Sequence, residues 1–328
     1  MNELKKNTTF LSILRIIAAV AVVTVHTKSL TNDTTDGYMY LYTSIQWCVP
    51  IFFMITGYIF LGIKKYIDYS SVKKNIIKFL VTLFTIGWFF AFLERIFEVR
   101  SISADIFIYS LADVFTGNLW AHMWYVYAAI GLYLILPVLS AFVSKTKENL
   151  YILTVLCFIF NIVFYDISTI CEIGFSFPLV DYCFYVLMGA VMYETEDTKL
   201  RKMFIPSILV LVILLVALAV RVYVYDITAI ANRNSIFVAI LTISVFIITN
   251  NIFISTKNTS FIKSASSCTW GIYLMHPIYI NIFGKLFGIN FAEYNQFAVF
   301  PVAVLLIYVI SHITVLILKR MPLINKIL

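Results

Sequence analysis

A chain of 328 residues that is 62% hydrophobic and only 12% charged has too little polar surface to cover a soluble globule of its size. Its apolar residues come in long blocks without period-2 alternation, which excludes a membrane barrel and leaves helices as the spanning structure. The formal charge of +7 is spread over short loops and not gathered on one domain, so it reads as a topology signal and argues against a nucleic-acid partner.

In chain order, blocks of spanning length are expected at Phe10–Lys28, Thr43–Ile63, Ile77–Phe97, Met123–Val143, Leu150–Asp166, Phe177–Tyr193, Met203–Tyr223, Ser235–Ile254, Ser267–Phe287 and Phe297–Leu318. Lys5 and Lys6 ahead of the first block imitate a secretory signal, but no small-residue cleavage site follows before His26, so a retained first helix is expected. The stretch Ile102–Phe115 is too short to span. With Ser103 as a cap and Asp105 and Asp113 within it, it reads as a surface-lying helix or a partly re-entrant segment.

Alternate loops hold Lys5 and Lys6; Lys64, Lys65, Lys73, Lys74 and Lys78; Lys145 and Lys147; Lys199, Arg201 and Lys202; Lys257 and Lys263; Lys319, Arg320 and Lys326. That side is cytoplasmic by the positive-inside rule, and both termini lie on it. The other loops are Thr31–Tyr42, Glu98–His122, Ile167–Ser176, Val224–Asn234 and Gly288–Gln296. The expected fold is an all-α polytopic bundle of about ten spanning helices. It forms a single membrane-embedded domain over residues 1–328, without internal repeat or appended soluble domain. Cys48, Cys157, Cys183 and Cys268 fall inside apolar blocks and Cys171 in a loop, so disulfides are not expected.

Ionisable residues inside spans are costly and are functional candidates by default. Arg15 and His26 are eleven residues apart, and eleven steps of about 100° return to within about 20° of the same helix face, roughly 16 Å further along the axis. Each alone is also explained as an interfacial anchor, Arg15 by snorkelling and His26 by facing outer water. Ala18, Ala19 and Ala21 between them suit a narrow channel and close helix packing equally.

A second cluster, Trp120-Ala-His122-Met-Trp124-Tyr125-Val-Tyr127, fits an aromatic belt or a sugar-binding rim, and His122 fits function or anchoring. A third, Trp270-Gly-Ile-Tyr273-Leu-Met-His276-Pro277, places a histidine beside a proline that leaves the carbonyl of Tyr273 without its helical donor. His276, His122, Trp124 and Tyr125 are therefore candidates for catalysis or acceptor binding. His312 is read as structural. Glu94, Arg95 and Asp181 are read as headgroup-exposed helix ends, and no metal is expected.

Four collinear stretches resemble the acyltransferase-3 family of bacterial integral membrane acyltransferases. They are the Arg15-to-His26 spacing, Trp47-Cys-Val-Pro50-Ile-Phe-Phe-Met54-Ile-Thr-Gly57-Tyr58, His122-Met-Trp124-Tyr125 through Leu136-Pro137, and Tyr273-Leu-Met-His276-Pro277. The resemblance implies transfer of a short acyl group, commonly acetyl, from cytoplasmic acyl-coenzyme A to a hydroxyl of a cell-envelope glycan or its lipid-linked precursor. It further implies a multi-pass location in the bacterial cytoplasmic membrane, and it makes Arg15 and His26 the family's pair of essential first-span residues.

The chemistry suits those residue types. A thioester is already activated, so a positioned histidine that removes the acceptor's proton is the main need, and His26 is the expected general base. Arg15 offers a fork of donors to coenzyme A phosphate or to the pantetheine arm, and the basic loop Lys64–Lys78 attracts the nucleotide. An acyl-enzyme relay through a histidine remains an open alternative. The rival class is a transporter or flippase of a glycan or lipid intermediate, in which the same residues line a path.

Overall fold

The computed structural model describes residues 8–30, 36–100, 103–172, 182–225, 232–289, 296–322 and 324–328, without the side chains of 296–298 and 326. All regular structure among them is helical. Eight helical stretches are long and apolar enough to cross a membrane: Thr9–Leu30, Asp36–Ile63, Tyr69–Val99, Ala121–Val143, Lys147–Ile170, Phe204–Tyr223, Ile236–Phe253 and Val299–Leu318. The chain is thus a multi-pass helical membrane protein. Two further expected spans correspond to a short apolar helix, Cys183–Glu194, and to Ser260–Asn281, whose serines, threonine and histidine dilute its apolar character.

The elements that build the site are α1 (Thr9–Thr27), α2 (Asp36–Ser44), α3 (Cys48–Gly57), α4 (Tyr69–Thr82), α5 (Trp88–Val99), α6 (Ala104–Thr116) and α7 (Trp124–Val143). Then follow α8 (Lys147–Cys157), α9 (Phe164–Ile170), α10 (Cys183–Glu194), α11 (Asp197–Lys202), α12 (Phe204–Tyr223), α13 (Ile236–Phe253), α14 (Ser260–Asn281) and α15 (Gln296–Leu318).

Several helices begin outside the hydrophobic blocks, because capping chemistry sets where a helix starts whereas hydropathy sets where lipid starts. Asp68, Ser103, Thr146, Ser235 and Thr259 each accept a hydrogen bond from the main-chain N–H three residues on. Asp68 therefore opens α4 eight residues before the expected span, with Lys73 and Lys74 already helical. Bonds from Ser70 and Ser71 hold its carboxyl down to about 2. The Thr31–Tyr42 loop is corrected likewise, since Asp36 onward is helical.

Two glycines set the closest helix crossing. A Cβ on Gly57 would lie 1.7 Å from the carbonyl oxygen of Val186, and one on Gly189 would lie 2.0 Å from that of Met54. Neither position has room for a side chain, so α3 and α10 pack backbone to backbone. Gly57 in the second resemblance stretch therefore has a packing role.

The first helix is central, packing on α3, α13, α14 and α15. Leu14, Ala18 and Val23 are buried on it, whereas α12 turns Leu209, Ile213 and Val216 outward. The short α6 is tied to α5 by Arg95, whose guanidinium holds the Asp113 carboxylate in a fork, Nη2 to Oδ1 at 2.7 Å and Nε to Oδ2. Its other face exposes Phe107, Ile108, Leu111 and Phe115. This element matches the expected non-spanning amphipathic segment.

Candidate functional site

Two cavities enter the bundle from opposite ends and share two wall residues, Val22 of α1 and Val49 of α3. The stripe Arg15, Ala19, Val22 lines one, and Val22, Val25, His26, Ser29 lines the other. Steps of three and four residues keep these side chains on one helix face. Arg15 and His26 do share a direction, as their spacing requires, and each opens into a different cavity. Of the three alanines, Ala19 lines a cavity, while Ala18 and Ala21 are packed in the core.

The cavity at the basic end, about 480 Å³, contains Arg15, Lys74, Asn75, Lys78, Tyr125, Tyr133, Trp270 and Tyr273. Its cations are Arg15, Lys74 and Lys78, and no aspartate or glutamate lines it among the described residues. Lys78 Nζ donates to the main-chain oxygen of Leu328 at 3.0 Å. Trp270 and Tyr273 stack with ring centroids 5.2 Å apart, and Tyr125 packs on Tyr273 at 5.5 Å. The result is an aromatic sleeve above a cationic mouth.

The opposite cavity is larger, about 1010 Å³, and mixes both charges. His26, His122 and Trp124 line it with Glu94, Arg95, Glu98, Asp113, Trp120, Arg233 and Lys285. Lys285 Nζ bridges both oxygens of Glu94 at 3.0 Å, and Trp120 Nε1 donates to Glu94 at 2.9 Å while its ring stacks on Phe90. Arg95 and its carboxylate partner also line it. Glu94 and Arg95, read from the sequence as headgroup-exposed ends, are partly exposed and bonded within the cavity lining; Asp181 lies outside the described residues. Their signal in the sequence was adjacency on a helix that also had to hold Asp113, which spacing alone does not reveal.

Three histidines meet beneath this cavity. The His26 ring lies 5.1 Å from that of His276 and 6.3 Å from that of His122, which are 5.8 Å from each other. His276 is fully buried and His122 is 3% exposed. His276 Nδ1 is 3.0 Å from the Ile272 carbonyl oxygen. A carbonyl only accepts, so the hydrogen is on Nδ1 and the Nε2 lone pair is left without a partner. Tyr273 donates its hydroxyl to the main-chain oxygen of His122, pinning the turn before α7 to α14. Such an arrangement can accept a proton at His26 and hold that ring in place.

Trp124 and Tyr125 separate. Consecutive helix residues diverge by about 100°, and Trp124 faces the larger cavity while Tyr125 lines the smaller one. Trp120 and Trp124 both line the larger cavity. His312 lies apart on α15, near Tyr308. Arg233, Lys285 and Trp270 were not among the sequence candidates as site residues. Among the described residues no group of His, Cys, Asp and Glu is arranged to hold a metal.

A family model described as an acyltransferase domain, that of the acyltransferase-3 family, matches residues 8–318. No curated protein and no solved structure matches the chain.

Proposed function

The chain belongs to the acyltransferase-3 family and is a multi-pass membrane acyltransferase, and from that premise we propose that it moves a short acyl group, most simply acetyl, from acyl-coenzyme A at the cytoplasmic face to a hydroxyl of a cell-envelope glycan or its lipid-linked precursor. The observation that carries this reading is the pair of cavities that approach from opposite ends and meet at Val22 and Val49. A donor and an acceptor on opposite sides of a membrane need such a meeting point.

In this reading the cationic mouth with Lys74 and Lys78 receives the nucleotide phosphates. Arg15 stands six residues into α1, about 9 Å from its start, deeper than the phosphates need to go. Its fork of donors then meets the polar groups of the pantetheine arm, which runs through the aromatic sleeve. The extended arm spans roughly the 16 Å from Arg15 to His26, so the thioester reaches the histidines without the nucleotide leaving the basic end.

His26 takes the proton of the acceptor hydroxyl as its oxygen bonds to the thioester carbonyl carbon. The carbon–sulfur bond breaks, and the proton passes from His26 to the departing thiolate, leaving an ester and free coenzyme A thiol. His276 and His122 hold the imidazole.

Purified protein in sealed vesicles, supplied with labelled acetyl-coenzyme A on one side and a glycan acceptor on the other, tests this. Label on the acceptor only when donor and acceptor face different sides is the expected result. Transfer requiring both on the same side, or vectorial movement of an unacylated acceptor, overturns it, the latter in favour of transport.

A further inference from the structure

We propose that the larger cavity is an acceptor site for an acidic sugar, one that carries a carboxylate or phosphate group, and that Arg233 is its anion-binding residue. The inference deepens the transferase reading by naming the class of acceptor.

Charge bookkeeping inside the cavity leads there. Its cations are Lys28, Arg95, Arg233 and Lys285, and its carboxylates are Glu94, Glu98 and Asp113. Arg95 is paired with Asp113 and Lys285 with Glu94. Arg233 pairs with no carboxylate among the described residues. Its guanidinium carbon lies 4.1 Å from the centre of the Trp124 ring. Stacking engages only the flat face of the guanidinium, so its in-plane N–H donors remain available as a fork for two oxygens of one anion.

The turn that presents Arg233 is built from buried parts. Tyr185, fully buried, donates its hydroxyl to the main-chain oxygen of Arg233. Ser235 caps α13, and Asp166 Oδ2 accepts from Ile236 N at 2.8 Å. The next residue but two is therefore locked at a helix start, and a carboxylate and a buried phenol both serve to fix this one short turn. Such anchoring is more than an arginine that only faces headgroups needs.

A second observation points to a ligand at the same place. His122 lines this cavity, is 3% exposed, and its Nε2 has no hydrogen-bond partner. An unpartnered buried ring nitrogen in the same cavity as a guanidinium without a carboxylate partner suits a sugar, with a hydroxyl for the nitrogen and an acid group for the guanidinium. Trp120, whose ring stacks on Phe90 by one face and lines the cavity, supplies an apolar surface for a pyranose ring.

The test is binding of methyl glucuronide, glucose 1-phosphate and methyl glucoside to the purified full chain, measured by calorimetry without any donor. The expected result is at least about tenfold tighter binding of an acidic sugar than of the neutral one, as a charge-assisted fork provides. The two acidic probes separate a sugar carboxylate from a sugar phosphate as the recognised group. Arg233→Gln should abolish the preference, and Arg233→Lys should keep part of it, since charge remains while the fork is lost. Raised salt should weaken the acidic probes and not the neutral one in the unmodified protein, a readout that needs no variant. Equal affinity for all three sugars, or a preference unchanged in Arg233→Gln, overturns the proposal. Because no acyl transfer is read, failure of the transferase reading appears separately, as absence of acetyl-coenzyme A consumption in the unmodified protein.

Discussion

The two cavities share a wall on α1 and α3 yet differ in chemistry. The smaller one, at the basic end, sets three cations in an aromatic sleeve with no lining aspartate or glutamate among the described residues, and the larger balances cations against Glu94, Glu98 and Asp113. A cavity of one sign suits a polyanionic donor of fixed identity, which attraction alone draws in. A cavity in which acids neutralise part of the cationic charge admits an anion only where a cation such as Arg233 has no carboxylate partner, and so can select among sugars. In the proposed reading, one helix face thus serves a site that collects its ligand and a site that discriminates.

The comparison breaks most sharply at His26. His26→Gln keeps size and polarity but cannot take up a proton at neutral pH, so transfer should fall by about 10²–10⁴-fold. Acetyl-coenzyme A affinity, measured by direct binding, should stay within about twofold, because the proposed donor contacts, Arg15, Lys74 and Lys78, line the other cavity. Near-normal turnover at saturating substrates would remove His26 as the base and leave His122 and His276 in its place.

The shared wall is the next target. Val22 is buried and borders both cavities, so Val22→Phe should narrow the passage between them and cut transfer by roughly tenfold or more, the loss expected when reacting atoms are kept about an ångström too far apart. Donor binding and acidic-sugar binding should both persist. Loss of both ligands would mean a folding defect, and unimpaired transfer would mean that the cavities communicate elsewhere.

Arg15→Lys sharpens the donor side. A point charge cannot reproduce a planar fork, and the apparent KM for acetyl-coenzyme A should rise by about fivefold to tenfold with the acceptor KM unchanged. If neither constant moves, Arg15 is an anchor and Lys74 and Lys78 carry donor recognition.

The smallest effect is expected at Asp113, which balances the larger cavity. The Arg95 guanidinium beside it holds its carboxyl below the usual carboxylate range. A carboxyl lowered in the folded state stabilises the protein above its unfolded value near 4, and that contribution is lost as the pH falls through the lower folded value. Asp113→Asn should therefore lower the melting temperature at pH 7 by on the order of 2 °C, since the pair is partly exposed, and the difference should shrink below about pH 4. A loss of equal size at pH 3 would assign the effect to packing instead of charge.

Much of this was legible in the sequence. Composition and block length required a helical membrane protein, and eight of the expected spans are long apolar helices. The short α6 was marked by its length, its Ser103 cap and its two aspartates. The eleven-residue spacing placed Arg15 and His26 on one face. Helix starts were misjudged where charged residues continue a helix into water, as at Asp68, because hydropathy reports lipid and not hydrogen bonding. The cluster after Trp120 was read as one patch, although adjacent side chains on a helix serve different sides of it.

What the sequence by itself determined is the solvent, the helical class, the direction of the first helix face and the family. These follow from local properties: transfer free energy per block, the fixed turn of a helix and short motifs in order. Only the tertiary structure decided that His26, His122 and His276 meet, that Glu94 and Arg95 are bonded into a cavity lining, and that Arg233 opens into the same cavity as His26. Those groups come from separate helices and turns, and their meeting depends on crossings such as the one at Gly57 and Gly189, where two backbones touch. In lipid, apolar blocks resemble one another and carry no label for their neighbours, so the pairing of helices is specified by small residues and buried polar contacts whose partners no local pattern identifies.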